Sequence, residues 1–284
     1  MGLEPLPDPL YLLELRSTRV AALELLLLAV AGGTLGAYVV LRRLAFYTHA
    51  VGTATFPGVV LAQAARFSPR LAALAVAVAY AAGVERAGRA GRDPGGATTG
   101  LILVLALAGG TILASDVFES GAGVDRLLFG SAVALSNADV VVAAVAAAVA
   151  MAAALLLGRA WAAVAFDPDG APGLGVPGHR ADLALLVLVG ATAVAALPAV
   201  GSLLVTSLFV VPAAIARLVT GSVPALVAAS VGVAAAQGLL GLYGALWLDV
   251  PPGPAIAVLG AVTYALVAAG LAVAPAGAPR EAMA

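Results

Sequence analysis

Cysteine is missing from all 284 residues. Its absence excludes disulfides, thiolate metal sites, iron–sulfur clusters and a cysteine nucleophile together. Lysine is missing as well, and all 14 basic residues are arginine. A Walker A loop holds nucleotide phosphates with the lysine of its Gly-Lys-Ser/Thr end, so this chain cannot hydrolyse ATP by that route. Charge of either sign is scarce: 10% of residues are charged, and the arginines face 15 Asp and Glu for a net charge of −1. No basic face is left for nucleic acid. What remains is hydrocarbon, with 63% hydrophobic residues and a mean hydropathy of +1.09. Soluble globular domains do not reach such values, and the composition is that of a membrane protein.

A helix crossing the hydrocarbon core needs about 20 apolar residues. Long runs occupy 20–41, 71–84, 98–114, 138–158, 182–200 and 223–247. Three more are interrupted: 49–66 by His49, Gly52, Pro57 and Gly58, 203–219 by Pro212, and 254–273 by Gly260 and Tyr264. Backbone groups in lipid must be satisfied internally, and the runs lack the alternation of a β-barrel, so the spans are expected to be helices. The expectation is an all-α polytopic transmembrane bundle of eight or nine spans forming a single domain over 1–284. Residues 1–19 are expected as an extramembrane amino-terminal segment and 275–284 as a tail; no removable leader is read before residue 19. The abundance of Ala and Gly predicts close helix approach.

Arginines are retained on the cytoplasmic side. With the Arg42 and Arg43 end of the first helix inside, counting crossings puts nine arginines inside and five outside, the latter being Arg16, Arg19, Arg66, Arg70 and Arg126. Three polar segments interrupt the hydrocarbon. Residues 85–100 read as a Gly-rich, basic, solvated cytoplasmic connection. Residues 115–130 carry Asp116, Glu119 and Asp125 and fall outside, where they are either solvated or an acidic vestibule for cations. The third, a loop over 159–181, contains FDPDGAPGLGV, in which Asp167 before Pro168 reads as a helix start and Gly175 as a stop.

The stretch THAVGTATFPGVVLAQ, 48–63, sets His49, Gly52, Thr53 and Phe56 at helical spacing. Positions i and i+4 share one face, so His49 and Thr53 lie together. An ionisable residue within a span faces the bundle interior or a water-filled path; two readings stay open, a pathway residue or a hydrogen bond to a neighbouring helix. Pro57 and Gly58 fit a broken helix of the kind transporters place at binding sites. Glu24 is expected near the outer surface with its carboxylate reaching towards the headgroups. Asp249 reads as a turn residue before Pro251 and Pro252, and His179 as a solvated loop residue.

Four blocks resemble one family. VVLRRLAFYTHAVGTATFPGVVLA (39–62), AFDPDGAPGLGV (165–176), VGSLLVTSLFVVPAAIARL (200–218) and LDVPPGPAIAV (248–258) are similar, in the same order, to segments of the membrane permeases of zinc, manganese and iron ABC importers, the ABC-3 family. The resemblance covers roughly residues 20–273.

The resemblance implies a homodimeric permease in the bacterial cytoplasmic membrane, partnered by a separate ABC ATPase and an extracytoplasmic solute-binding protein. It implies a transported divalent metal and no permanently bound cofactor. The family's surface element after the fifth span docks into the ATPase; its matching positions are Phe166, Asp167, Pro168, Ala171, Leu174 and Gly175, with Leu174 as an apolar anchor. Pro172 departs from the pattern and is expected to shorten or kink the element. The family's metal-contacting Asp and His, four residues apart, fall on His49 and Thr53. Imidazole, at His49, is still a ligand for Zn(II), Mn(II) or Fe(II), while Thr53 offers only a neutral hydroxyl and the carboxylate is lost. Gly52, Pro57 and Gly58 are taken as shaping this pathway helix, Pro57 and Gly58 matching the family's Pro-Gly. Two other classes are open to test: a secondary transporter or channel needing no ATPase, and an intramembrane hydrolase using Ser202 and His49.

Overall fold

The computed structural model describes residues 15–89, 97–117, 130–131, 135–201 and 205–273. Apolar runs that cannot bond to lipid close their backbones on themselves, and the described residues form ten α-helices and one short 3-10 turn. In chain order these are α1 (Arg16–Leu41), α2 (Ala45–Ala54), α3 (Phe56–Ala64), α4 (Pro69–Arg89), α5 (Ala97–Val117), α6 (Asn137–Phe166), the 3-10 turn (Ala171–Leu174), α7 (Gly178–Val200), α8 (Val205–Val219), α9 (Val223–Leu248) and α10 (Pro252–Val273). Among the described residues six helices are long and apolar enough to cross a membrane: α1, α4, α6, α7, α9 and α10. Shorter apolar stretches, Thr99–Leu113 and Val205–Val219, lie in α5 and α8. The run 254–273, interrupted in sequence, is thus a full-length helix, because Gly260 and Tyr264 do not stop a helix packed on α9.

The ends carry local signals. Ser136 and Asp139 form a reciprocal capping box at the start of α6, satisfying two of the amide groups a helix start leaves open. Ser222 accepts from the Ala225 amide at α9. Asp249 closes α9 in the left-handed conformation, φ 52°. The basic segment 85–100 is less of a loop than expected, since α4 runs on to Arg89 and α5 starts at Ala97; residues 90–96 lie outside the described residues, as does most of 115–130, with Glu119 and Asp125, and nothing is described of the Asp116 side chain.

α1 is the axle. It packs against α6, α7, α8 and α9, and glycines set its separation from two of them. A Cβ on Gly33 would meet the Val231 backbone at 2.6 Å, and one on Gly36 would meet the Phe209 carbonyl. Backbones approach this closely only where side chains are absent. This burial corrects the expectation for Glu24. The residue is 0% exposed, and neither carboxylate oxygen has a hydrogen-bond partner among the described residues. A helix enclosed on several sides leaves no route along which its side chain can reach the surface.

Helices alternate in direction, so the bundle has two polar ends. One gathers the α1–α2 turn with Arg42 and Arg43, the 3-10 turn and the start of α7. The other gathers the starts of α1, α4 and α6, where Arg70 pairs with Asp139.

Candidate functional site

Pro57 has no amide to donate, so a helix running through 45–64 must lose a hydrogen bond one turn earlier. The break falls at Thr55, between α2 and α3. Thr55 Oγ1 donates to the Gly52 carbonyl at 2.7 Å, satisfying one acceptor at the end of α2. Thr53 Oγ1 donates to the His49 carbonyl at 3.2 Å. Its hydroxyl proton is therefore committed to the backbone, while its oxygen lone pairs stay available to accept or to ligate.

The structure brings His49 and Thr53 onto one face of the last turns before the break, His49 half-buried and Thr53 buried. Gly52 is buried beside them. A Cβ on Gly58 would meet Val76 Cγ2 at 2.7 Å and the Ala72 carbonyl at 3.1 Å, so α3 lies hard against α4. Across the break, a Cβ on Gly110 of α5 would meet the Phe56 ring at 2.7 Å and Pro57 at 3.0 Å. Phe56 belongs to this packing. Below the break α2 is anchored: Tyr47 donates its hydroxyl to the Leu186 carbonyl of α7 at 2.9 Å, and its ring lies 5.7 Å from that of Tyr80. Tyr80 in turn donates to the Thr99 carbonyl of α5 at 2.8 Å.

No group of three or more His, Asp or Glu positioned to hold a metal ion occurs among the described residues. The face offered to a cation here is one imidazole and one hydroxyl, both without formal charge when the imidazole is neutral. Ser202 lies outside the described residues.

The segment after α6 is built from local signals. The Asp167 carboxylate accepts from the Gly170 amide at 2.9 Å, and a Cβ on Gly170 would run into that carboxylate. Pro168 follows where no amide is needed. Pro172 sits inside the 3-10 turn, which lasts four residues, and Gly175 ends it at φ 76°. The Gly175 amide bonds to the Pro172 carbonyl and the Val176 amide to that of Ala171. Ala171 is 0% exposed and plugs the turn into the bundle, while Phe166 and Leu174 stand out, 67% and 77% exposed. The turn extends no further back than Phe166, since 159–166 continue α6.

Two ties stiffen its arms. Trp161, fully buried in α6, donates Nε1–H to the Ala181 carbonyl of α7 at 2.8 Å, and Tyr38 of α1 meets the Trp161 ring edge-on at 5.0 Å. Beneath the turn lies a cavity of about 640 Å³ whose wall includes Arg42, Glu85, Asp169, His179 and Asp182. Arg42 and Asp182 pair at 2.7 Å. His179 is exposed, as expected of a solvated residue, but belongs to the first turn of α7. Sequence reading missed the pairs Arg42–Asp182 and Arg70–Asp139; their partners are 140 and 69 positions apart, and no local signal joins them.

The model of the ABC 3 transport family matches residues 15–270. The chain belongs to that family. It is a permease subunit of an ABC transporter, and ATP hydrolysis resides on a separate chain, in keeping with the missing lysine. The manganese transport system membrane protein MntC of Halalkalibacterium halodurans is 26% identical over 241 residues, 85% of this chain and 82% of that one. The chelated iron transport system membrane protein YfeC of Yersinia pestis is 27% identical over 238 residues, 81% and 78% of the two chains. In fold the chain is similar to a solved structure of PsaBC from Streptococcus pneumoniae in complex with Fab, with a TM-score of 0.82 at 22% identity over 91% of this chain and 94% of that one.

Proposed function

We propose that this chain is the membrane permease of a bacterial importer for divalent metal ions, zinc, manganese or iron. It works as a homodimer in the cytoplasmic membrane, with an ATPase on one side and a solute-binding protein on the other. The relatives support the cargo, being manganese and iron transport proteins by name. The observation that carries the reading is the turn over Phe166–Gly175: two exposed apolar side chains on a short, internally bonded projection between two long helices. Exposed knobs of this kind are what a partner's apolar cleft grips. Ala171 and the Trp161 tie carry the partner's motion into α6 and α7.

The sidedness follows from charge. Arg42, Arg43, Arg86, Arg159, Arg180 and Arg217 belong to the end that holds this turn, which makes that end cytoplasmic. Counting α2–α3 as one crossing and adding α5 and α8 to the six long helices gives nine spans, with the residues before α1 outside and those after α10 inside. His49 and Thr53 line the path. Neutral ligands hold a divalent ion weakly, which suits a site the ion must leave.

The test is metal uptake into vesicles. The permease with its ATPase, the binding protein and ATP is expected to accumulate Mn(II), Zn(II) or Fe(II), and the permease alone to accumulate none. Uptake by the chain alone, driven by an ion gradient, would overturn the reading in favour of a secondary transporter or channel.

A further inference from the structure

α4 and α6 each pack on α7 and meet each other through Arg70 and Asp139 at the end of the bundle away from the coupling turn. Below that pair they stand apart, and a groove of about 340 Å³ lies between them. Its floor is α7, where Ala191 and Ala195 are small, and its walls include Leu74 of α4 and Val145 and Val149 of α6. Those wall residues are exposed at the bundle's outer surface, so the groove opens sideways to hydrocarbon and not to the helix interior. From Val142 to Val149 it descends seven residues of α6, about 10 Å at the rise of an α-helix. So apolar a recess does not hold ordered water, which needs several polar partners.

The rim is different. Arg70 stands in the first turn of α4 with its side chain 43% exposed. Asp139 takes one guanidinium nitrogen through Oδ1, and its Oδ2 already accepts from the Ser136 amide at 2.8 Å and the Ser136 hydroxyl at 2.5 Å. Asp139 thus accepts three hydrogen bonds, one of them from Arg70. Arg70, with five donors in a planar fork, lines the groove and also lies near enough to the buried Glu24 for its charge to act on that carboxylate. A guanidinium of this kind binds a phosphate well, and basic pockets between transmembrane helices take lipid headgroups.

We propose that this groove holds one phospholipid of the adjoining leaflet, its phosphate on Arg70 and one acyl chain laid against Ala191 and Ala195. Charge at the rim and hydrocarbon below match the two halves of that molecule. The lipid completes the packing between α4 and α6, where side chains leave a gap.

The experiment is native mass spectrometry of the assembled permease–ATPase complex, delipidated and titrated with phosphatidylglycerol or with diacylglycerol of the same chains. One phosphatidylglycerol is expected to bind at least about tenfold more tightly than the diacylglycerol, a difference of ~1.4 kcal/mol. Ala191→Phe, which fills the floor, and Arg70→Gln with Asp139→Asn, which removes both charges together, should each lose that tight lipid, while Arg70→Lys retains it. Equal affinity for the two lipids, no tight lipid on the parent, or the same tight lipid on both loss variants overturns the proposal.

Discussion

Arg42, directly after α1, and Asp182, in the second turn of α7, are joined across 2.7 Å. The pair ties the turn that leads into the His49 helix to the helix that follows the 3-10 turn. A displacement of α7 at its start thus reaches α2 through one ion pair as well as through the Tyr47–Leu186 bond. Both side chains are partly exposed, so the pair contributes about 1 kcal/mol or less to folding. Under the proposed function its consequence is mechanical.

Arg42→Ala and Asp182→Asn are each expected to lower uptake about tenfold while ATPase binding and thermal midpoint stay near the parent's, since a tenfold rate change corresponds to ~1.4 kcal/mol of coupling. Arg42→Asp combined with Asp182→Arg should recover part of the loss. Uptake and ATPase co-purification, measured on the same preparations, separate coupling from assembly.

Leu174→Asp is expected to weaken ATPase association at least tenfold, because it desolvates a charge in an apolar cleft. Leu174→Ala should weaken it less. With the side chain 77% exposed, the isolated permease should melt as before, and pull-down of the ATPase reads the difference.

His49→Ala should abolish uptake from an intact complex, because alanine suits a helix and removes only the ligand. The double change His49→Asp with Thr53→His places a carboxylate and an imidazole one turn apart. It should bind Zn(II) or Mn(II) more tightly than the parent by equilibrium dialysis, and more tightly at pH 7.5 than at pH 5.5, where protons compete for the imidazole.

Gly33→Ala is expected to cost about 1–3 kcal/mol, the usual penalty for overpacking, since the new Cβ meets Val231 backbone atoms that cannot swing aside. Gly244→Ala, with nothing within 4 Å of its Cβ, should be neutral or slightly stabilising. Thermal unfolding of the two variants in one detergent compares them directly.

The helices were readable from hydropathy because lipid leaves the backbone no alternative, and the α2–α3 break was readable from Pro57 because a missing amide acts within one turn. Gly175 announced the end of the 3-10 turn for the same local reason, whereas Asp167, read as a helix start, instead caps the end of α6, and the turn starts at Ala171. Glu24 was misplaced because burial depends on neighbours: a lone acid in an apolar run looks identical on a peripheral helix and on α1, which several others enclose. The cavity beneath the coupling turn was invisible for a related reason. Arg42, Glu85 and Asp182 come from the turn after α1, from α4 and from α7, and only the fold brings them to one wall. His49 and Thr53 share a face as their spacing requires, yet what surrounds them, the Tyr47 anchor and the Gly58–Val76 approach, depends on residues far along the chain.

Trp161 also gives the molecule an optical reporter. The chain contains two tryptophans. One is sealed between α6, α7 and α1 with its indole N–H bonded to Ala181, and the other, Trp247, is 45% exposed. With Trp247 replaced by phenylalanine, the tryptophan emission of this chain comes from the joint of α6 and α7 alone. Any event that loosens α6 from α7 there moves the indole towards a more polar setting and shifts its colour, so a change at this joint can be followed without attaching a dye.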